Sequence, residues 1–313
     1  MDLSNIKGNI LLYLALWDDD IGPTVVEQFP EETDIDLYEN ADKIFLSFQT
    51  IFGNSPDVQF EKTNLILPLK SQNIVCKILL DTIPNEDLRG GYQPFIIVFI
   101  FPIIFPEESL HIFANIQESI ISRYKAKKTI HLKQEIEKIV LRAKKEASKL
   151  FEQGEINFKD KNYAEAKKSF SGASNISKII NEENIAQRYE AKLNDALIKQ
   201  AKQVYIEAIK DYKDGEYKNA EKIFRKSLDL AKKTDESNII KKIRKSMDKN
   251  YKNWAKSYAK IGKKSKKKRN FIKANEYYKK ALNVAQKSQI RKLIKKYNKK
   301  LDKVPHVPLE NNK

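Results

Sequence analysis

An α+β domain, built from an antiparallel sheet with helices and followed by an all-α helical repeat, is the fold class this sequence predicts. Three observations lead there. Residues 1–130 hold short apolar runs separated by turn chemistry, without the regular strand–helix alternation that would demand a parallel sheet. From residue 131 onward the runs disappear, and Lys, Ala, Leu and Glu recur at helical spacing with no proline until Pro305. In that second part an aromatic-x-x-Ala phrase occurs three times, at Tyr163 with Ala166, Tyr217 with Ala220 and Phe271 with Ala274, each copy 54 residues from the next.

Composition sets the outer bounds. A chain of 313 residues with 41% hydrophobic side chains has room for two domains with real cores, which excludes a disordered chain. The net charge of +17 conceals a split: residues 1–130 carry 10 Lys/Arg against 19 Asp/Glu, and residues 131–313 carry 49 against 23. The two parts therefore face different partners or each other. One cysteine, Cys76, makes neither an intramolecular disulfide nor a thiolate zinc site, and the opening MDLSNIKGN lacks a secretory pattern, so a reducing cytoplasm is expected. The most apolar run, Phe95 to Phe105, contains Pro102 and falls short of the roughly 20 residues needed to span a bilayer, so it is expected to be a buried strand.

In order, Asn9–Trp17 reads as a strand, Asp18-Asp19-Asp20 and Gly22-Pro23 as a turn, and Thr24–Phe29 as the second strand of a hairpin ended by Pro30. Ile35, Tyr38, Ala41, Ile44, Phe45, Phe48, Ile51 and Phe52 recur at three- and four-residue spacing, a helix that stops at Gly53. Three strands follow at Leu65–Leu69, Ile74–Leu80 and Phe95–Phe101, the last two joined by a hairpin connection holding Pro84, Asn85, Gly90 and Gly91. A second helix is expected from Pro106 to Tyr124.

This order, with the phrase Leu14-Ala-Leu-Trp-Asp-Asp-Asp-Ile-Gly-Pro-Thr-Val-Val-Glu-Gln-Phe-Pro30, resembles the longin or SNARE-like, profilin-type fold over about residues 5–130. The resemblance implies a place in trafficking or GTPase-regulating complexes, with a small GTPase or a second longin-type domain as partner. Its polar features have plain structural readings. Asp18-Asp19-Asp20 lacks further carboxylates at cation-ligand spacing and reads as a solvated turn. Arg89-Gly90-Gly91 is a single copy between strands and reads as a glycine turn; Cys76, among apolar neighbours in a strand, reads as an inert core thiol.

Around each aromatic-x-x-Ala anchor one grammar repeats. A small residue lies nine positions before (Gly154, Ala208, Gly262), an aromatic seven after (Phe170, Phe224, Tyr278) and a small residue ten after (Ala173, Ser227, Ala281). Small residues let two helices approach, and aromatics fill the groove between them. The spacings resemble the tetratricopeptide repeat over roughly residues 147–180, 201–234 and 255–288, which implies a protein-binding scaffold. The sequence departs from that family in lacking the closing proline and in its 54-residue period, where about 34 is usual.

The additional residues, 181–200 and 235–254, are themselves helical in pattern: Ile185, Tyr189, Leu193 and Leu197 run into Ala201, and Ile239, Ile243, Met247 and Tyr251 into Ala255. The first helix of each unit is therefore expected to be lengthened, with breaks at Asn181–Asn184 and Thr234–Ser237. The first long helix should begin near residue 131. Leu293, Tyr297 and Leu301 should form a truncated fourth copy that caps the array, terminated by Pro305 and Pro308. The expected domains are 1–130, 131–303 with three units and a capping helix, and a disordered tail at 304–313.

Two candidate surfaces follow. Phe151, Phe158, Tyr205, Ile209 and Tyr212 lie on the first helices of units one and two, either packed against neighbouring helices or lining a protein-binding groove. Phe151 and Glu155 stand where a tetratricopeptide carboxylate clamp would need Lys and Asn, so chaperone-tail capture is not expected. Lys263, Lys264, Lys266, Lys267, Lys268 and Arg269 form a cationic turn in unit three, within residues 239–303 that hold 25 Lys/Arg against the three acids Asp248, Glu276 and Asp302. That density is either a solvated, lysine-biased surface or a site for an anionic membrane or acidic protein; nucleic acid ranks last, because Arg is scarce and no reading motif is present. No Walker-type loop, Ser/His/Asp set or metal-ligand cluster is apparent, so the expected function is a non-enzymatic adaptor without a cofactor, cytoplasmic or peripheral at a membrane.

Overall fold

The computed structural model describes residues 10–18, 20–52, 62–88, 91–234 and 236–305. Five strands, β1 (Leu11–Asp18), β2 (Gly22–Phe29), β3 (Thr63–Leu69), β4 (Ile74–Pro84) and β5 (Tyr92–Pro102), form one antiparallel sheet in the order β2-β1-β5-β4-β3. The hairpin register pairs Asp18 with Gly22, and a bulge between Leu14 and Ala15 leaves Val26 as the additional residue of β2. Asp18 Oδ1 accepts hydrogen bonds from the amides of Asp20 (2.9 Å) and Ile21 (3.2 Å), which makes it the turn-forming residue its position suggested. Asp19, Gly53, Arg89 and Gly90 lie outside the described residues. Pro68, which lacks a ladder donor, sits in the edge strand β3, where its loss is tolerated.

The chain divides by packing into two compact units, Met1–Leu193 and Asn194–Lys313. In the first, helix α1 (Leu37–Phe52) covers one face of the sheet. The Asp36 carboxylate accepts from the Glu39 amide at 2.9 Å and so caps its first turn. Leu37, Ala41, Ile44, Phe45 and Phe48 of α1 bury against Tyr13, Cys76, Ile78, Ile96 and Val98. Alternation along each strand sends Leu12, Leu14, Val75, Leu79, Ile97 and Phe99 to the opposite face. There they meet α2 (Ala114–Lys125) and the stripe Ile136, Ile139, Val140, Ala143 of α3 (Leu132–Lys159). With both faces covered, β5 is buried continuously from Phe95 to Phe101, which is why its sequence reads as an unbroken apolar run. The helix expected from Pro106 starts instead as a 3-10 segment, Glu107–Phe113, and becomes α-helical at Ala114. Composition changes at residue 130, whereas α3, the Ala173–Ile179 end of α4 (Tyr163–Ile179) and the following Ile180 share the core of the sheet.

The helices keep the 54-residue period closely. Long helices α3, α5 (Glu183–Lys213) and α7 (Ser237–Lys267) end 54 residues apart, and short helices α4, α6 (Tyr217–Ala231) and α8 (Phe271–Lys287) start at the same interval. The long members span 28, 31 and 31 residues and the short ones 17, 15 and 17, so the additional residues lengthen the first helix of each pair. At each long-to-short turn one residue is left-handed: Lys161 (φ 61°), Gly215 (φ 83°) and Arg269 (φ 58°). The following amide reaches back five residues each time, Asn162 to Asn157, Glu216 to Asp211 and Asn270 to Ser265, at 2.8–3.0 Å, which satisfies a carbonyl that the ended helix leaves free.

In the second unit, Ser227 donates to the Ala201 carbonyl at 2.8 Å, while Phe224 and the small residues Ala208 and Ala220 fill one cluster with Ile243. A further cluster holds Trp254, Ala255, Tyr278, Ala281 and Ala285, and α9 (Arg291–Leu301) closes it with Tyr297, Leu293 and Leu301. Val304 joins the same cluster, and residues 306–313, with Pro308, lie outside the described residues.

Candidate functional site

The five aromatic and aliphatic candidates on the first helices are each half-buried by helices of their own array. Phe151 stacks on Tyr189 at 4.4 Å between ring centroids, with Phe170 at 5.4 Å and the Arg188 guanidinium above its face at 5.6 Å. Phe158 meets Tyr163 at 5.4 Å. Tyr205 lies 5.9 Å from Phe224, with its hydroxyl 2.9 Å from Ser246 Oγ and the Lys242 ammonium 5.3 Å above the ring. Ile209 borders the Phe224 cluster, and the Tyr212 hydroxyl accepts from Asn253 Nδ2 at 2.6 Å. These side chains therefore serve helix pairing first, and only their outer edges face solvent.

The cationic candidates lie differently. Lys263, Lys264, Lys267, Lys268 and Arg269 are exposed at the C-terminal end of α7 and in the turn to α8, and Lys266, half-buried, donates to the Lys303 carbonyl. Locally, cations in the last turn of a helix oppose the partial negative charge of its free carbonyls, and the Asn270 side chain starts α8 by accepting from the Lys273 amide at 3.0 Å. Beyond residue 239, the one ion pair found among the described residues joins Lys280 to Glu276 at 2.6 Å. Among the described residues the cations of the α7–α8 turn thus have no acidic partner.

Lys296 and Lys300 of α9 extend this surface, and neither was singled out by the spacing. The Lys300 ammonium lies 5.7 Å from the ring centre of Tyr297 and 5.8 Å from that of Tyr278. Burial, then the charges of Lys296 and Lys263, hold it below the ordinary lysine range, so these cations crowd one another.

Cys76, Glu221 and Glu135 are held within the packing. Burial pushes the Cys76 thiol up to about 12, which keeps it un-ionised and unreactive. Glu221 accepts from Tyr251 Oη at 2.8 Å and Arg225 Nη2 at 2.9 Å. Burial alone would raise its carboxyl, but those donors and the Lys287 charge outweigh it and hold the group below the usual range. Buried Glu135 is met by Arg123 Nη1 at 3.1 Å and Lys138 Nζ at 2.7 Å. Among the described residues, no three His, Cys, Asp or Glu side chains converge as metal ligands, and no helix is long and apolar enough to cross a membrane. Compared with known proteins, the chain matches no family model, and no curated protein is significantly similar to it.

Proposed function

We propose that this protein is a non-enzymatic adaptor. Its N-terminal domain, read as longin-like, engages a small GTPase or a second longin-type domain. Its helical array, read as a tetratricopeptide-like scaffold of extended period, holds another protein, with the half-exposed edges of Phe151 and Phe158 in the first unit, and those of Tyr205, Ile209 and Tyr212 in the second, as separate candidate contacts. The sheet order β2-β1-β5-β4-β3, with α1 on one face and α2 on the other, supports the longin reading. The observation that carries the partner-binding role is the outer face of α1 beside the β1–β2 hairpin. Tyr38 is 55% exposed and Leu46, two turns along, 47%, and the Tyr38 hydroxyl donates to the Ile21 carbonyl at 3.2 Å, which ties the hairpin tip to the helix. Binding of purified small GTPases in both nucleotide states tests this reading; absence of binding in either state removes the GTPase from it.

The uncompensated cations of α7 and α9 favour a second reading, in which the basic helices dock the protein on an anionic membrane surface or on RNA. Vesicle flotation and RNA shift with Lys263, Lys264, Lys266, Lys267, Lys268 and Arg269 changed to Ser test it. Binding that persists unchanged in the variant at physiological salt contradicts it.

A further inference from the structure

The third long-to-short turn differs in chemistry from the other two. The turns read Phe158-Lys159-Asp160-Lys161-Asn162, Tyr212-Lys213-Asp214-Gly215-Glu216 and Lys266-Lys267-Lys268-Arg269-Asn270, so the third has lost the aspartate and gained cations. The second residue of the short helix is Ala164, then Lys218, then Ile272. Ile272 is 66% exposed, and Ile261 on α7 is 38% exposed. For a turn surrounded by water, every one of these changes is unfavourable. Cations repel one another, and a branched aliphatic side chain stands in solvent.

Together the changes suit a surface that is anionic outside and apolar just beneath. A nucleic acid supplies the phosphates but gives no use to an exposed isoleucine, and it is read chiefly by Arg and by hydrogen-bonding side chains. A bilayer of anionic phospholipid uses both features, since cations meet headgroups while an apolar residue seats at the boundary with the acyl chains.

We infer that the α7–α8 turn docks end-on on an anionic phospholipid membrane, with Lys264, Lys267, Lys268 and Arg269 against the headgroups and Ile272 inserted below them. This rests on the second reading above and adds the apolar contact and the part of the molecule that makes it.

Flotation of the full chain with phosphatidylcholine vesicles, with and without phosphatidylserine, provides the first measurement. Binding should require phosphatidylserine. Lys267→Ser with Lys268→Ser and Arg269→Ser should weaken it about 100-fold, at roughly fivefold per cation, and Ile272→Ser about tenfold. All of these positions are exposed, so unfolding midpoints close to the parent's verify that the variants fold. The second measurement uses Ile272→Cys labelled with an environment-sensitive dye, which is selective because Cys76 is buried and un-ionised. The dye should brighten and shift to the blue on anionic vesicles. Flotation with a dye that stays water-like, and with Ile272→Ser equal to the parent, overturns the insertion and leaves the basic-surface reading standing. No flotation on anionic vesicles overturns the insertion and the membrane reading together. A single-stranded RNA probe that binds where vesicles do not assigns the surface to nucleic acid and contradicts the inference.

Discussion

Gly154 has no room for a side chain. A Cβ there would stand 2.5 Å from Cε1 of Phe170, a fully buried ring held between Phe151 and Phe158, so the ring cannot yield. Gly154→Ala should therefore cost about 1–2 kcal/mol by urea unfolding, even after the roughly 1 kcal/mol gained from better helix propensity. The equivalent Gly262 would meet Tyr278 at 3.2 Å, so Gly262→Ala should be nearly neutral, its milder crowding offset by the same propensity gain. The Glu221–Arg225–Tyr251 group makes a second residue-scale prediction. Because the folded-state carboxyl is held below its ordinary value, its contribution is present above the usual glutamate range and is lost as pH falls through the depressed value. Tyr251→Phe removes one donor to a charged acceptor and should cost about 1.5–3 kcal/mol at neutral pH. The deficit should shrink on acidification, as read by denaturant midpoints across the acid range.

The regularity of the helices comes from their ends. One left-handed residue recurs at 161, 215 and 269, and another set after the short elements at 127, 181 and 289 keeps multiples of the same interval. Glycine occupies one of these six positions, so Gly215→Ala should destabilise the second unit by about 1 kcal/mol, whereas Arg269→Gly should leave stability equal or slightly higher, both read by thermal unfolding. Which elements could be read from the sequence follows from burial. Phe170 and Phe224 are fully buried and Tyr278 nearly so, and positions that pack against a helix in every unit leave a periodic trace. The 3-10 segment Glu107–Phe113 left none, because Leu110 and Phe113 sit three apart in either kind of helix. The half-burial of Tyr205 and Tyr212 was likewise illegible, since spacing places a residue on a helix face but does not say what covers it. Ile272 became legible only when the three turns were aligned on the 54-residue interval.

At the scale of the molecule, charge and packing divide the chain at different places. Lysine enrichment begins near residue 131, but one apolar stripe of α3 belongs to the core under the sheet, and a composition profile averages that stripe away. The imbalance of 25 cations against three acids in residues 239–303 makes the second unit self-repelling. Its thermal midpoint should rise as NaCl increases from about 0.01 M to about 1 M, where the screening length falls from about 30 Å to about 3 Å. A midpoint that falls with salt would mean that attractive pairs dominate. The adaptor reading itself is tested most directly by measuring the affinity of the purified chain for a panel of small GTPases and longin-type domains, with Tyr38→Ala/Leu46→Glu and the Lys267/Lys268/Arg269 variant as controls. Binding of one partner that is lost with the α1 substitutions and retained with the basic-turn substitutions is the expected result; no binding across the panel, or binding indifferent to α1, would contradict it.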